Sequence, residues 1–113
     1  MGGASGIYCR NMIETLGIAG AINAKATTIP AGFTAEQLLT GEAGMAVQQV
    51  SELMVVPGIE VVGPLPADIQ TIATFSGGVL SNSRQSEQAA GFLRFLASPG
   101  IAPILRRTGL EPA

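Results

Sequence analysis

A glycine-rich run stands at the start of the chain: Gly2, Gly3, Ala4, Ser5 and Gly6 lead straight into a stretch of helical periodicity. A helix that begins there leaves its first N–H groups without intrahelical acceptors, and the positive end of its dipole falls on the same spot. Anions are held at such places. Glycines let a ligand approach the backbone, and the Ser5 hydroxyl adds a donor. Ser5 is equally a good N-cap, and capping alone accounts for a serine there. No Gly-Lys-Ser/Thr follows, so the run is not a Walker phosphate loop. Gly32-Phe33-Thr34 is another loop that enters a helix start, and simple capping is again its alternative role. The third candidate is Val47-Gln48-Gln49, at the end of an expected strand. Ligands of open α/β sheets sit beyond the carboxyl ends of strands, and a glutamine offers both donor and acceptor. An exposed polar residue at a strand end is the other reading.

Other chemistry is ruled out by residue type. The chain has no His. That removes a neutral-pH imidazole base, Ser-His and Cys-His nucleophiles and most zinc sites. The carboxylates, from Glu14 to Glu111, form no obvious acid–base pair. Cys9 has no activating base beside it and reads as a buried inert thiol. As the single cysteine it forms no internal disulfide, which leaves the redox compartment open. The expectation is a non-enzymatic protein without metal or cofactor. Net charge is −2 and the pI is about 4.9. The six basic residues are scattered, which argues against nucleic acid as partner. No apolar run reaches the ~18 residues of a membrane span, so no membrane insertion is expected. The first residues lack the basic region and apolar stretch of a signal peptide.

These candidates need elements to position them. Tyr8, Cys9, Met12, Ile13 and Leu16 recur at helical spacing and Gly17 is a natural stop. Residues 25–30 read as a β-branched strand ended by Pro30. Thr34-Ala-Glu-Gln37 has the form of a capping box opening a short helix that ends at Gly41. Residues 45–48 are a second strand candidate. Residues 50–54 form a helical turn or two, stopped by Pro57-Gly58. Residues 59–63 are a third strand candidate, followed by the rigid Pro64-Leu-Pro66. Residues 72–80 are extended, with a bend or bulge at Gly77-Gly78. Two helices finish the chain: one carries the apolar stripe Ala89, Phe92, Leu93 and Leu96, and the other starts at Ser98-Pro99. Pro103 removes an interior amide from that last helix, which must bend or start late. Strands alternating with helices predict an α/β chain with a mainly parallel open sheet flanked by helices.

At 113 residues, 47% of them apolar, the chain is long enough for one compact core. Charged residues make up only 12%, about half the usual ~25%. So few charges leave surface that must face another protein part.

Several segments in order resemble the second half of bacterial solute-binding proteins of the molybdate-binding type. They are Gly6-Ile-Tyr8, Leu16-Gly-Ile18, Thr40-Gly-Glu-Ala43, Val47-Gln-Gln-Val-Ser-Glu-Leu53, Pro57-Gly58, Val62-Gly-Pro-Leu-Pro-Ala-Asp-Ile-Gln70, Phe92-Leu-Arg-Phe-Leu-Ala-Ser-Pro99 and Gly109-Leu-Glu-Pro112. The resemblance covers essentially the whole chain. It implies one lobe of a type II periplasmic-binding-protein fold plus the C-terminal helices of the other lobe. The family's two lobes close over a ligand about a hinge, and its members deliver a small oxyanion or other solute to an ABC permease. Residues 1–66 would then be a second-lobe α/β unit bearing the ligand loop, 67–80 the hinge or crossover strand, and 81–113 helices belonging to the first lobe.

The resemblance also implies a site. Ser5, flanked by Ala4 and Gly6, matches a backbone amide that contacts the anion. Gln49 falls where the molybdate binders often place a tyrosine hydroxyl, a departure from the family pattern. Phe33 or Thr34 lies near a third amide contact. Half a site implies that the isolated chain binds molybdate, tungstate or sulfate weakly at best. The resemblance implies a periplasmic protein, or a cytoplasmic one if Met1 is the true start. First-lobe helices without the strands they cover lead to an expected homodimer with exchanged C-terminal helices. The alternative role is the effector-sensing or interaction module that the same fold forms in transcription regulators.

Overall fold

The computed structural model describes residues 3–112. The chain divides into two compact units, Met1–Thr71 and Ile72–Ala113. In the first, α1 (Ala4–Thr15) is followed by the short helices α2 (Ala19–Asn23), α3 (Glu36–Leu39) and α4 (Val50–Leu53). In the second, α5 (Ser86–Leu96) leads through a 3-10 turn (Pro99–Ile101) into α6 (Ala102–Arg107).

The helix ends follow the glycines. After α1 the N–H of Gly17 donates to Glu14 O and that of Ile18 to Ile13 O, both at 3.0 Å. After α3, Gly41 N–H donates to Leu38 O at 3.3 Å and Glu42 N–H to Gln37 O at 3.0 Å. This is the Schellman pattern, which closes the last carbonyls of a helix. It needs a left-handed residue just past the end, and Gly17 and Gly41 have φ of 69° and 74°. The ending of α6 at Gly109 repeats the pattern. Ser98 precedes Pro99 as the cap of the 3-10 turn, and α6 starts late with Pro103 in its first turn. There a missing N–H costs nothing, because first-turn amides have no intrahelical acceptor. The short helix α2 carries no apolar stripe and was not expected; it follows the α1 cap directly and contacts α1.

The predicted parallel sheet does not form. Among the described residues there is no strand, so the α/β class gives way to short helices joined by irregular and extended chain. The segments 25–30, 45–48, 59–63 and 72–80 were expected as strands. They carry the β-branched and apolar residues that favour extension. A strand, however, is a paired object: its N–H and C=O groups must meet those of a neighbour aligned beside it. None of these segments lies in register against another. Several of their large side chains stay in water, Val62 at 98% exposure and Ile72 at 84%.

The buried core is correspondingly small. Among the described residues, Ile13, Ala35 and Val56 are its members in the first unit and Ile101 in the second. Ala35 is wholly enclosed. In the second unit the bend expected at Gly77-Gly78 closes on α5: a Cβ built on Gly77 meets Leu93 Cδ2 at 2.5 Å. A larger residue there forces the Leu93 side chain to move. On the α5 stripe Ala89 and Leu93 are half-buried, whereas Phe92 remains 60% and Leu96 41% exposed.

Candidate functional site

The amides of α1 were the leading candidate, and they sit at the start of a 12-residue helix. The N-cap is Gly3, not Ser5, and no side chain caps this end. Ser5 is therefore inside the first turn. The first bond of the helix runs from Ile7 N–H to Gly3 O at 3.0 Å, so the N–H groups of Ala4, Ser5 and Gly6 precede it and point out of the helix end. Ala4 is exposed, and Ser5 and Gly6 are half-buried. Gly2 of the expected loop lies outside the described residues. Glycine at the cap leaves these donors to solvent or ligand, because it brings no oxygen of its own.

Beside this end runs a groove of about 610 Å³ whose walls include Ala4, Ile7, Tyr8, Met12, Asp68 and Ile69. The Tyr8 hydroxyl donates to the Ile69 carbonyl and so ties α1 to the 66–71 turn. The groove is mainly apolar. Asp68 is the charged side chain in its lining, and a carboxylate repels an anion. An anion is favoured at the helix end itself rather than along the groove.

The second loop is organised differently from its expected form. Thr34 N–H donates to Gln48 Oε1 at 2.8 Å, and the Thr34 hydroxyl donates to the same oxygen at 2.9 Å. Gln48 Nε2 in turn donates to the Gly32 carbonyl at 3.4 Å. The capping box within 34–37 does not form: the Thr34 donors have found an acceptor 14 residues away. The Gln37 carbonyl instead receives Glu42 N–H and Ala43 N–H at 3.0 and 3.1 Å. Phe33 and Thr34 are half-buried.

Gln49 caps α4 by backbone position only, with no side-chain cap bond. Among the described residues no hydrogen bond joins Ala4, Ser5 or Gly6 to Phe33, Thr34 or Gln49. What the structure does bring together is Thr34, Gly32 and Gln48. Gln48 stood in the same candidate tripeptide as Gln49, and no local signal separates the two. Only the packing of 45–49 against the 32–34 loop decides which amide engages. Among the described residues no group of three or more His, Cys, Asp or Glu side chains is placed to hold a metal.

The sequence matches the family model of the bacterial extracellular solute-binding proteins over residues 2–111. The chain belongs to that family. It is also 37% identical over 110 residues to an aconitate isomerase from a Pseudomonas species, an alignment that takes in 96% of this chain and 42% of that protein. The solute-binding chain thus spans less than half the length of the curated relative it matches. No solved structure matches it. No helix among the described residues is long and apolar enough to cross a membrane.

The relationship to an isomerase corrects the non-enzymatic expectation. That expectation rested on the missing His and the unpaired carboxylates. Such an inventory excludes particular nucleophile and base arrangements, but it does not exclude catalysis. A chain that aligns to 42% of an enzyme does not inventory that enzyme's acids and bases.

Proposed function

We propose that this chain forms part of a solute-binding-family protein that binds and isomerises a small polycarboxylate of the aconitate type, with the α1 N-terminus contributing to the anion site. The carrying observation is the 37% identity across nearly the whole chain to an aconitate isomerase. The uncapped first turn of α1 supports it. Amides and the helix dipole hold carboxylates without cationic side chains, which suits a chain with only six basic residues. Family membership supports export from the cytoplasm, and periplasmic residence is the location proposed.

The resemblance to molybdate binders makes inorganic oxyanions the competing ligands, so one titration decides. The complete protein carrying this chain is titrated by calorimetry with aconitate, molybdate, tungstate and sulfate, and the aconitate samples are then separated by chromatography. Saturable aconitate binding with conversion of one isomer into another is expected. Binding of the inorganic oxyanions alone, or aconitate binding without conversion, overturns the reading.

A further inference from the structure

The second unit has a core too small for its apolar content. Among the described residues, Ile101 is the large side chain that it buries. Against that, Ile72, Phe75, Phe92, Phe95, Leu96 and Ile104 are between 41% and 84% exposed. The unit spans Ile72–Ala113, close to the roughly 40 residues below which a chain usually needs a disulfide, a metal or a partner to stay folded. Cys9, outside this unit, is the single cysteine, so no disulfide closes within it. Among the described residues no group is placed to hold a metal. That leaves another protein surface.

The need is plainest on α5. Ala89, Ala90 and Leu93 are half-buried, and Leu93 closes on Gly77. Phe92, Phe95 and Leu96 stand at i, i+3 and i+4 and so share one face. They are 60%, 55% and 41% exposed. Gln88, one turn earlier, is the polar member of that face. Glu87 and Arg94 fall on the other side of a 3.6-residue turn, so the face carries no charge.

We propose that this face seats an apolar segment of the longer polypeptide, from outside these 113 residues, and not a second copy of the chain. Two observations select that occupant. The chain aligns to 42% of the aconitate isomerase, so more than half of such a protein lies outside the match. The exposed parts of Phe92, Phe95 and Leu96 also come to roughly 300 Å², taking about 150–250 Å² per aromatic side chain. That is well under the ~800 Å² per partner of a stable complex, and a second copy would be held only weakly. A segment of the same polypeptide meets the face at high effective concentration, so a small patch suffices. Its contact surface is apolar, since the face offers no charge to pair. This inference does not depend on which solute the protein takes.

Two measurements on the complete protein test it. In the first, the photo-crosslinking analogue benzoylphenylalanine replaces Phe92 or, separately, Phe95. After irradiation the joined peptides are identified by mass spectrometry. A cross-link at monomer mass to a residue outside this chain's sequence is expected. A cross-link at dimer mass, a link to another residue of this chain, or no link overturns the proposal. The second measurement uses the unaltered protein, so a variant that fails to fold does not block the decision. Hydroxyl-radical labelling of Phe92 and Phe95 is compared between the native and the urea-unfolded protein at two protein concentrations. Labelling slowed by about tenfold or more at both is expected, because a covered ring is out of the reagent's reach. Native rates within about twofold of the unfolded ones leave the face in water and overturn the proposal. Protection that disappears on dilution belongs to a second copy and overturns it as well.

Discussion

Two places in the first unit share one pattern, a glycine-containing loop that turns into a helix. At α1 the loop supplies Gly3 as cap, no side chain closes the end, and the amides of Ala4, Ser5 and Gly6 stay open. At Gly32-Phe33-Thr34 both donors of Thr34 are already taken, because Gln48 accepts from its amide and its hydroxyl. The lengths differ as well. With 12 residues, α1 builds a helix dipole, whereas α3 has four and builds little of one. Similar local sequences therefore reach opposite states, one end open to a ligand and the other closed on its own chain. What separates them is a distant acceptor and a difference in helix length, neither of which belongs to the loop.

Substitutions sharpen or break this contrast. The largest effect is expected from Gln48→Ala, which strands two Thr34 donors in a half-buried loop. Unfolding in denaturant should show a loss of about 2 kcal/mol, whereas Ser5→Ala in the open end should cost under about 0.5 kcal/mol. Equal losses would dissolve the contrast. Next come the helix ends, where the two places are alike. Gly17→Ala and Gly41→Ala each place a Cβ at a left-handed φ and should each lower stability by about 1 kcal/mol. A markedly smaller loss at Gly41 would show that the α3 cap is held by the Gln48 node rather than by its own turn.

A smaller effect is expected from Gly3→Asp. It supplies the oxygen that α1 lacks and should raise stability by a few tenths of a kcal/mol, visible as a slight rise in melting temperature. It should also weaken anion binding, because the new carboxylate takes the ligand's place. The smallest effect lies in the second unit. The Arg106 Nε to Glu111 Oε2 pair, at 3.3 Å, has both partners largely in water. Glu111→Ala should leave the melting temperature essentially unchanged, since exposed pairs contribute little and are screened by salt.

Helix positions were largely legible in the sequence. The apolar spacing from Tyr8 to Leu16, the stripe on α5 and the glycine stops at Gly17 and Gly41 are local rules, in which residues three to five apart interact. The late start of α6 followed from Pro103 for the same reason. The sheet was misread because β-branched residues and flanking prolines report only that a segment is extended, and pairing depends on a second segment. The site was partly legible. Glycine and serine marked the α1 end, though the cap lay two residues earlier than Ser5. Thr34 was noticed as a cap, but its true acceptor lies 14 residues on.

By itself, then, the sequence determined the helix segments other than α2, the glycine-marked ends at Gly17 and Gly41 and the absence of imidazole chemistry, because these depend on residue type and short spacing. It also held the family pattern, as an ordered series of segments along the whole chain. Only the tertiary structure decided which donors are open and which are occupied, which of two adjacent glutamines engages the loop, and whether extended chain becomes a sheet. Each of those outcomes depends on a partner far along the chain, and a hydrogen bond exists only where both of its ends arrive.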